Sequence, residues 1–317
     1  MVPIKKKLSP FFHTLRLMRE KYTVSLSAQK PCKNILVYSS DNQSSAGIAD
    51  RLKGMISTYA YAKANGMDFK IDHSKPFEWS HCLEPNKVNW LPDDRSVSYN
   101  LVYARPVYMM DHPRKNIRLG GAQKHIYTNL DLLEHINQTY GTNYSFSELF
   151  HELFRPVDAL QKEVNAIRTQ LGRYIVINFS FHSLLGDSNT SFGGGKLNET
   201  QQQDLINDCV RQLYRLHEAN PQYEKIMVTS DSQRFINTIQ SIEWVYITPG
   251  KNGQIFYGRN KDDISVADNT ILRTFLDFLV ISHADKVYMA HTGLMYRSQY
   301  VLTATRTTGI PYEEISF

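Results

Sequence analysis

Polar side chains that could bind or activate a ligand follow two hydrophobic runs of the sequence. His182 and Asp187 come directly after residues 174–181, and Asp231 and Ser232 follow a second apolar run. Both runs are typical of buried strands, and open α/β sheets present their ligand groups at the carboxyl ends of such strands. A ligand site at one sheet edge is therefore predicted. Simpler interpretations remain open, in which His182 is a satisfied core imidazole and Asp231 and Ser232 cap a helix.

A third candidate, Asp277, lies in a stretch whose apolar residues recur at helical spacing. Asp268 is expected to cap this helix at its start, and the helix is expected to end near His283. Burying a carboxylate among apolar neighbours is costly unless hydrogen-bond donors meet it. The edge of a guanine base offers two adjacent N–H donors that would suit Asp277. The alternative is a salt bridge with a neighbouring arginine.

The segment after this helix predicts a phosphate site. Residues 286–290 form an apolar run typical of a buried parallel strand, and Gly293 follows where the chain turns into a further helix. Thr292, Ser298 and the backbone amides near the start of that helix suit a phosphate, because helix N-termini carry unpaired N–H groups and a partial positive charge. The alternative is that Ser298 serves only as the helix N-cap.

These residues carry a resemblance to a known family. Residues 277–285, followed by a strand and a small polar turn with Ser298, resemble the C-terminal motif of the superfamily of nodulation, core α1,6- and protein-O-fucosyltransferases. The resemblance implies that Asp277 contacts guanine and that Ser298 contacts the diphosphate of GDP-fucose. Asp231 and Ser232 resemble the second donor motif of the superfamily, where they would meet a ribose or a phosphate.

Residues 182–187 resemble the His-x-Arg-Arg-x-Asp motif of the same superfamily, with one departure. His182 and Asp187 match, whereas Leu184 and Leu185 stand at the arginine positions. In the superfamily an arginine there neutralises the donor diphosphate, which a leucine cannot do. Either another cation substitutes, or the donor differs, or activity is lost. The candidate cations are Arg173, Lys196, Arg234 and Arg297.

The amino-terminal half carries a looser match. The Gly-x-x-Asp-Arg-Leu-x-Gly order of residues 47–54 resembles the opening motif of the superfamily, but Ala49 stands where the family usually has glycine. We expect Gly54 to let this helix approach its sheet. Asp50 and Arg51 are predicted either to form a structural ion pair at the helix start or to face the acceptor side of an inter-domain cleft.

Two tryptophans, Trp79 and Trp90, lie in a strand-poor region of the same half. Their rings could form a stacking surface for an acceptor sugar. The alternative is a position in the core, where large aromatic side chains bury much of their surface. The sequence leaves both interpretations open.

Composition and the order of the motifs predict two α/β domains. With 317 residues, 42% of them hydrophobic and 21% charged, the chain can bury two ordinary cores. We expect a basic amphipathic leader over residues 1–30, an acceptor-side domain over 31–172 and a nucleotide-sugar-binding domain over 173–317. The resemblance implies a GT-B-like fold, in which two Rossmann-like domains face each other across a cleft.

Charge and cysteine content limit the partners and the location. A formal charge of +5 fits an anionic ligand such as a nucleotide sugar, or a membrane surface, and does not require nucleic acid. Residues 1–20 are basic and apolar, so they would lie on an anionic membrane or pack on the domain as a leading helix. Three distant cysteines without metal spacing argue for reduced thiols in a cytoplasmic protein, and no apolar run approaches the ~20 residues that span a bilayer.

The resemblance implies an inverting fucosyltransferase that moves fucose from GDP-fucose to a hydroxyl of a glycan or lipid-linked glycan. No metal or cofactor is expected, and Asp187 is the candidate general base. The implied setting is bacterial glycan assembly at the inner membrane face. The alternatives are a non-catalytic nucleotide-sugar or glycan-binding protein of the same fold, and a transferase for another sugar nucleotide. The transferase interpretation depends on one condition: a purine, and not an arginine, must form the hydrogen bonds to the Asp277 carboxylate.

Overall fold

The chain forms two compact units, each built around a parallel sheet. The structure, a computed structural model, describes residues 4–26, 34–39, 47–73, 77–93, 96–109, 122–187, 195–249 and 264–317, with side chains outside 4–11 and 264–270. The units are Met1–Pro156 and Val157–Phe317. The helix over Asp158–Leu171 thus belongs by its contacts to the second unit, whereas the sequence suggested a boundary after residue 172. The domain limits as independently folding bodies stay a prediction.

The first unit has four parallel strands in the order β2-β1-β5-β4 and a small antiparallel pair, β3 with β6. Its elements are α1 (Ile4–Lys21), β1 (Ile35–Ser39), α2 (Ile48–Ala64), β2 (Asp68–Asp72), β3 (Leu83–Pro85), β4 (Ala104–Tyr108), β5 (Gln123–Tyr127), α3 (Leu133–Tyr140), α4 (Phe146–Leu153) and β6 (Phe154–Pro156).

Helix α2 lies unusually close to this sheet, as the sequence predicted from Gly54. A Cβ atom on Gly54 would collide with the backbone oxygen of Thr128 and would come within 2.9 Å of the Tyr38 ring. Only glycine fits this approach without displacing backbone. The prediction about Gly54 is therefore confirmed.

The second unit has five parallel strands in the order β11-β10-β7-β8-β9. Its elements are α5 (Asp158–Leu171), β7 (Tyr174–Phe179), α6 (Glu199–Glu218), β8 (Lys225–Ser230), α7 (Gln233–Ile239), β9 (Val245–Tyr246), α8 (Ile264–Ile281), β10 (Lys286–His291), α9 (Gln299–Thr308) and β11 (Tyr312–Ser316).

The strand order places β7 at the point where the direction of chain progression reverses. From β7 the chain proceeds to β8 and β9 on one side and then returns to β10 and β11 on the other. All six residues of β7 are buried, which explains why its sequence is an almost continuous apolar run. Ligands of open α/β sheets bind at the carboxyl ends of the strands beside such a reversal, here between β7 and β10.

The start of α8 differs from the sequence prediction. The helix begins at Ile264, so Asp268 lies inside it and the prediction that Asp268 caps the helix is wrong. The end of the helix, at Ile281, agrees with the predicted end near His283. Of the three cysteines, Cys82 and Cys209 are buried thiols, and Cys32 lies outside the described residues.

Candidate functional site

The loop after β7 is fixed by a carboxylate from the neighbouring strand. Asp231, directly after β8, accepts hydrogen bonds from the backbone nitrogens of Phe181 at 2.7 Å and His182 at 2.9 Å. Burial raises the pKa of Asp231, although the two backbone N–H groups oppose this shift. His182 adopts a left-handed backbone conformation with a φ of 52°, which is uncommon outside glycine. Asp231 therefore holds the loop in a conformation that it would not adopt by itself.

Asp187, at the end of this loop, is attached to helix α7. Its Oδ2 accepts from the hydroxyl of Ser232 at 2.8 Å and from the backbone nitrogen of Arg234 at 2.8 Å. Ser232 Oγ in turn accepts from the backbone nitrogen of Phe235 at 3.1 Å and caps the helix. The capping alternative for Ser232 is thus what the structure shows. The part of Asp187 as a general base stays a prediction.

The two leucines of the loop lie in the hydrophobic core. Leu184 is 5% exposed and Leu185 is 2% exposed, so neither side chain reaches the sheet edge. Lys196 lies beside them in space, because its side chain covers Gly186 and a Cβ there would meet Lys196 Nζ at 2.9 Å. The backbone nitrogen of Leu197 also donates to the Leu184 carbonyl at 3.1 Å.

The four candidate cations differ in where they lie relative to the carboxyl edge of the sheet. Arg173 precedes β7 and binds Asp285 at 2.7 Å, at the amino edge of the sheet and away from the loops that follow the strands. The guanidinium of Arg234 donates to the side chain of Gln202. Arg297 lies just before α9, 65% exposed and 3.7 Å from Glu314. Lys196 and Arg297 therefore remain the candidates for neutralising an anion at the carboxyl edge.

The loops after β7 and β10 meet through an aromatic contact. The rings of His182 and Tyr296 have centroids 4.1 Å apart, and the backbone nitrogen of Tyr296 donates to the Ser180 carbonyl at 3.1 Å. The structure thus brings His182 close to the predicted phosphate segment. Nearby, Thr292 Oγ1 accepts from the backbone nitrogen of Leu294 at 3.3 Å, in the turn after β10.

Ser298 is the N-cap of α9. Its hydroxyl accepts from the backbone nitrogen of Tyr300 at 3.3 Å, and the residue is 9% exposed. This geometry is the N-cap alternative of the sequence analysis. A phosphate contact for Ser298 and Thr292 stays a prediction.

Asp277 has an arginine partner within its own helix. Arg273 Nε donates to both carboxylate oxygens of Asp277, at 3.1 and 3.2 Å, and Arg273 Nη2 donates to the Thr248 carbonyl. Burial raises the pKa of Asp277, and Arg273 opposes that shift. The salt-bridge alternative for Asp277 is therefore what the structure shows, and the transferase interpretation can no longer depend on a purine meeting this carboxylate. A guanine contact stays a prediction that must rest on other observations.

Four buried polar atoms of the second unit have no hydrogen-bond partner among the described residues. They are Asn178 Oδ1, His182 Nδ1, Thr248 Oγ1 and Arg273 Nη1. Asn178 and His182 lie at the end of β7 and in its loop, Thr248 follows β9, and Arg273 contacts Thr248 from α8. Buried polar groups in folded proteins are nearly always paired, so such a group marks a place for a ligand or an ordered water. Together they define a candidate polar site at the carboxyl edge of this sheet.

Sequence reasoning missed three of these residues, although signals for them were present. Asn178 is an amide inside an otherwise apolar strand, Arg273 stands four residues before Asp277 at ion-pair spacing, and Thr248 follows the apolar run of β9. Among the residues that the structure describes, no three His, Cys, Asp or Glu side chains converge as metal ligands.

The proposed acceptor-side charges of the first unit are paired differently than expected. Asp50 binds Lys53 at 2.7 Å, so the predicted ion pair between Asp50 and Arg51 is wrong. Arg51 is 1% exposed and its Nη1 donates to His73 Nε2 at 2.9 Å. Burial and the Arg51 charge lower the pKa of His73 to about 3, so this imidazole is neutral.

Both tryptophans lie in the core of the first unit. Trp79 is 1% exposed and Trp90 is 2% exposed, and both rings pack near Phe154, with centroids 6.3 and 5.6 Å from it. Trp90 Nε1 also donates to the Leu153 carbonyl at 2.8 Å. Their faces are covered by protein, so the structure shows the core alternative and corrects the prediction of a sugar-stacking surface.

Solved structures show the same fold. The α-1,6-fucosyltransferase NodZ soaked with GDP-fucose matches with a TM-score of 0.56 at 12% identity, covering 87% of this chain and 93% of that chain. NodZ from Bradyrhizobium gives 0.54 at 12% identity, covering 86% and 92%, and NodZ co-crystallised with GDP gives 0.52 at 11%, also covering 86% and 92%. No protein-family model and no curated protein sequence matches the chain.

These matches define the class of fold. The chain has a fucosyltransferase-like α/β fold of the GT-B kind, with two units each built on a parallel sheet. The α/β fold class expected from the motifs is confirmed. At 12% identity the likeness concerns the fold, and what the chain binds or transfers requires its own argument.

Proposed function

We propose that this chain is a glycosyltransferase that transfers fucose from GDP-fucose to a hydroxyl of a glycan. The observation that carries the proposal is the group of unpartnered buried polar atoms at the carboxyl edge of the second sheet. This edge belongs to a fold shared over most of its length with a fucosyltransferase that was soaked with GDP-fucose.

The donor is proposed to bind along this edge. His182 and the N-terminus of α9, with Ser298, Thr292 and Arg297, would meet the diphosphate, and Lys196 would supply a second cation from the loop after β7. Asp231 and Ser232 act by positioning, because their hydrogen bonds go to the loop and to α7. Asp277 would meet the base.

The proposed chemistry is an inverting displacement at the anomeric carbon, without a metal or another cofactor. The acceptor hydroxyl attacks opposite the departing diphosphate and loses its proton to a general base, while cations and helix N–H groups stabilise the leaving group. Asp187 is the proposed base. It is exposed, and its Oδ1 makes no hydrogen bond with the described residues, whereas Oδ2 is engaged by Ser232 and Arg234.

A second candidate function is a nucleotide-sugar-binding protein without transferase activity. The burial of Leu184 and Leu185 favours it, because no cation projects from these positions toward a leaving diphosphate. A transferase for another sugar nucleotide is a third candidate.

Two measurements separate these candidates. A thermal-shift screen across GDP-, UDP- and other nucleotide sugars identifies the donor, and release of GDP from GDP-fucose with a mixture of glycan acceptors measures turnover. Protection by GDP-fucose with turnover supports the proposal, and protection without turnover supports the binding protein. Protection by UDP-sugars alone supports another donor. Protection by no nucleotide sugar contradicts all three.

The basic amino-terminal segment supports a peripheral membrane contact, which we include in the proposal. Residues 1–26 carry six of the 36 Lys and Arg residues and one of the 31 Asp and Glu residues, so the whole formal excess of +5 lies there. Helix α1 packs on its unit through buried Leu17, while Phe12 is 60% exposed and Leu15 is 41% exposed. Exposed apolar side chains within a basic segment suit an anionic lipid surface. No described helix is long and apolar enough to cross a membrane.

Sedimentation with lipid vesicles tests this contact. We expect the chain to bind vesicles of phosphatidylcholine that contain about 30% anionic phosphatidylglycerol, and to bind phosphatidylcholine alone only weakly. Added salt should reduce the binding to the anionic vesicles. Phe12→Ser should weaken binding, whereas Leu91→Ser, which changes a leucine 40% exposed elsewhere in the same unit, should not. Equal vesicle binding by the two variants contradicts the proposed membrane contact. We also propose a cytoplasmic location at the inner membrane face.

A further inference from the structure

The first sheet carries a cluster of polar side chains at the carboxyl ends of β1 and β2. Asp72 is the last residue of β2 and lies in register with Ser39, the last residue of β1. Asp72 Oδ2 accepts hydrogen bonds from Lys21 Nζ at 2.6 Å and from the hydroxyl of Tyr99. The Ser39 hydroxyl donates to the same oxygen at 3.5 Å. This carboxylate therefore fixes the end of α1 to the sheet.

The cluster lies next to the point where chain progression reverses in the first sheet. From β1 the chain proceeds to β2 on one side, and β5 later pairs with β1 on the other side. Open α/β sheets bind ligands outside the carboxyl ends of the strands beside such a reversal. The first unit therefore has a place for a ligand of its own, although Trp79 and Trp90 lie in the core and do not line it.

Asp72 has one engaged oxygen and one open oxygen. The donors described above all go to Oδ2, and Oδ1 makes no hydrogen bond with the described residues. The Asp72 side chain is 17% exposed and that of Lys21 is 33% exposed, so both reach the surface. An ammonium group has three N–H donors, and Lys21 uses one of them for Asp72. An open acceptor and open donors thus lie side by side.

A second cluster of the same composition lacks this open oxygen. Glu152 on α4 binds Lys63 on α2, whose Nζ lies 2.7 Å from both carboxylate oxygens. The hydroxyl of Tyr59 also donates to Glu152, at 2.6 Å. Both oxygens of Glu152 are therefore occupied, as expected for a contact that only joins two helices. Asp72 has the same kinds of partner but keeps an acceptor for another molecule.

The Asp72 carboxylate is suited to accepting hydrogen bonds and not to removing protons. Burial by itself raises its pKa, but the Lys21 charge and the hydrogen bonds from Lys21 and Tyr99 lower the pKa below its ordinary value. A general base works best when its pKa lies near the working pH. Asp72 instead stays ionised and attracts hydroxyl donors, while proton removal is left to Asp187.

The open groups of Asp72 and Lys21 match two adjacent hydroxyls. A hydroxyl group can both donate and accept a hydrogen bond. In a vicinal diol, one hydroxyl can donate to Asp72 Oδ1 while its neighbour accepts from Lys21 Nζ. An anionic ligand would be repelled by Asp72 and a cationic ligand by Lys21. The pair therefore favours an uncharged polyol, and sugars carry such diols.

We infer that Asp72 and Lys21 form a subsite for a vicinal diol of a sugar, with Tyr99 and Ser39 holding the carboxylate in position. The inference rests on the proposed function, in which that sugar belongs to the acceptor glycan. Asp72 and Lys21 then determine which acceptor is bound and do not take part in the exchange of bonds.

Saturation-transfer NMR of the full chain with the methyl glycosides of glucose, galactose, mannose and N-acetylglucosamine tests the subsite. We expect at least one glycoside to bind. In Asp72→Asn the amide oxygen is retained by Lys21 and Tyr99, so the open position becomes an N–H donor, and binding should weaken about tenfold. Lys21→Met should weaken binding by a similar factor. Glu152→Gln, in the cluster without an open oxygen, should bind like the unmodified chain.

The ligand offers a test that needs no variant. For the glycoside that binds, monodeoxy analogues that lack either hydroxyl of one vicinal pair should bind the unmodified chain about tenfold more weakly. If no monodeoxy analogue binds more weakly, or if none of the four glycosides binds, the inference is overturned. This result remains available even if Asp72→Asn does not fold.

Turnover separates the inference from the proposed function. With GDP-fucose and a glycan acceptor, Asp72→Asn should raise the KM for the acceptor and leave kcat and the KM for GDP-fucose close to those of the unmodified chain. An unchanged acceptor KM in folded Asp72→Asn overturns the inference and leaves the proposed function standing. Absence of GDP-fucose binding to the unmodified chain contradicts the proposed function instead, whether or not the methyl glycosides bind.

Discussion

The carboxylate of Asp187 lies 2.8 Å from the hydroxyl of Ser232, a residue 45 positions later that caps helix α7. One oxygen thereby joins the loop after β7 to the start of the following helix. A general base and a structural link would respond differently to substitution, so the two parts that Asp187 can play are separable.

Asp187→Ala should lower the free energy of unfolding by about 0.5–2 kcal/mol, the usual effect of losing an acceptor at a helix N-terminus. Asp187→Asn keeps an oxygen for Ser232 and should lose less stability. If Asp187 is also the base, both variants should lose GDP-fucose turnover alike. Denaturant unfolding and turnover are the measurements, and Asp204→Ala, an exposed carboxylate on α6, is the control. Full turnover in Asp187→Asn contradicts the general-base assignment.

Asp231 should matter more for the loop than Asp187 does, because it accepts two backbone N–H groups in a buried place. Hydrogen bonds to a charged group contribute about 1.5–3 kcal/mol each, so Asp231→Ala, which loses two, should destabilise the chain by about 3–6 kcal/mol. Asp231→Asn, with a single acceptor oxygen, should lie between. Without this anchor His182 loses its left-handed conformation, and GDP affinity should fall in parallel. Intact GDP affinity in a folded Asp231→Ala variant would contradict the positioning role.

His73 makes stability depend on acid pH. Its pKa is lowered to about 3 by burial and by Arg51, whereas an unfolded histidine titrates near ~6.5. Below about pH 6.5 the unfolded chain binds a proton that the folded chain does not, so the free energy of unfolding falls as the pH decreases toward 3. One histidine contributes roughly 1.4 kcal/mol per pH unit in that window.

His73→Gln should reduce this slope, since the glutamine oxygen can still accept from Arg51 but does not titrate. Urea unfolding at several values between pH 4 and 7 measures it. His125, whose pKa is likewise lowered to about 3 by burial, should leave a remaining slope of similar size. His135→Gln, on the exposed surface of α3, is the matched control. An unchanged slope in His73→Gln would mean that His73 is not neutral in the folded chain.

Gly54→Ala should destabilise the first unit by about 1–3 kcal/mol, although alanine favours helices more than glycine does. The added carbon meets the Thr128 backbone and the Tyr38 ring, neither of which can move without disturbing the sheet. Gly47→Ala, at the N-cap of the same helix with open space around it, should change stability by less than ~1 kcal/mol. Thermal unfolding of the two variants provides the comparison.

The sequence predicted those features that local patterns control. The continuous apolar run predicts strand β7, and Gly54 predicts the close approach of α2. Both features are signalled by residues that are neighbours in the sequence. The helix start at Ile264 was missed because an aspartate is compatible both with a cap and with a helix interior, and only the backbone conformation distinguishes them.

The side-chain partners depended on residues distant in the chain and were predicted less well. The burial of Trp79 depends on packing near Phe154, and the attachment of Asp187 depends on Ser232. Asp277 is the instructive exception, since Arg273 stands one helical turn earlier and the pair could have been recognised from spacing alone. The apolar neighbours of Asp277 suggested an uncompensated carboxylate, whereas Arg273 compensates it.

The inward orientation of Leu184 and Leu185 also limits how this protein could be redesigned. An engineer who wished to raise its activity would be inclined to restore arginines at these two positions. Each new guanidinium would then be buried among apolar side chains, where it would destabilise the domain and would not reach a phosphate. Lys196, which already lies across the same loop, offers the safer route: exchange for arginine there changes the charge carrier and leaves the interior untouched.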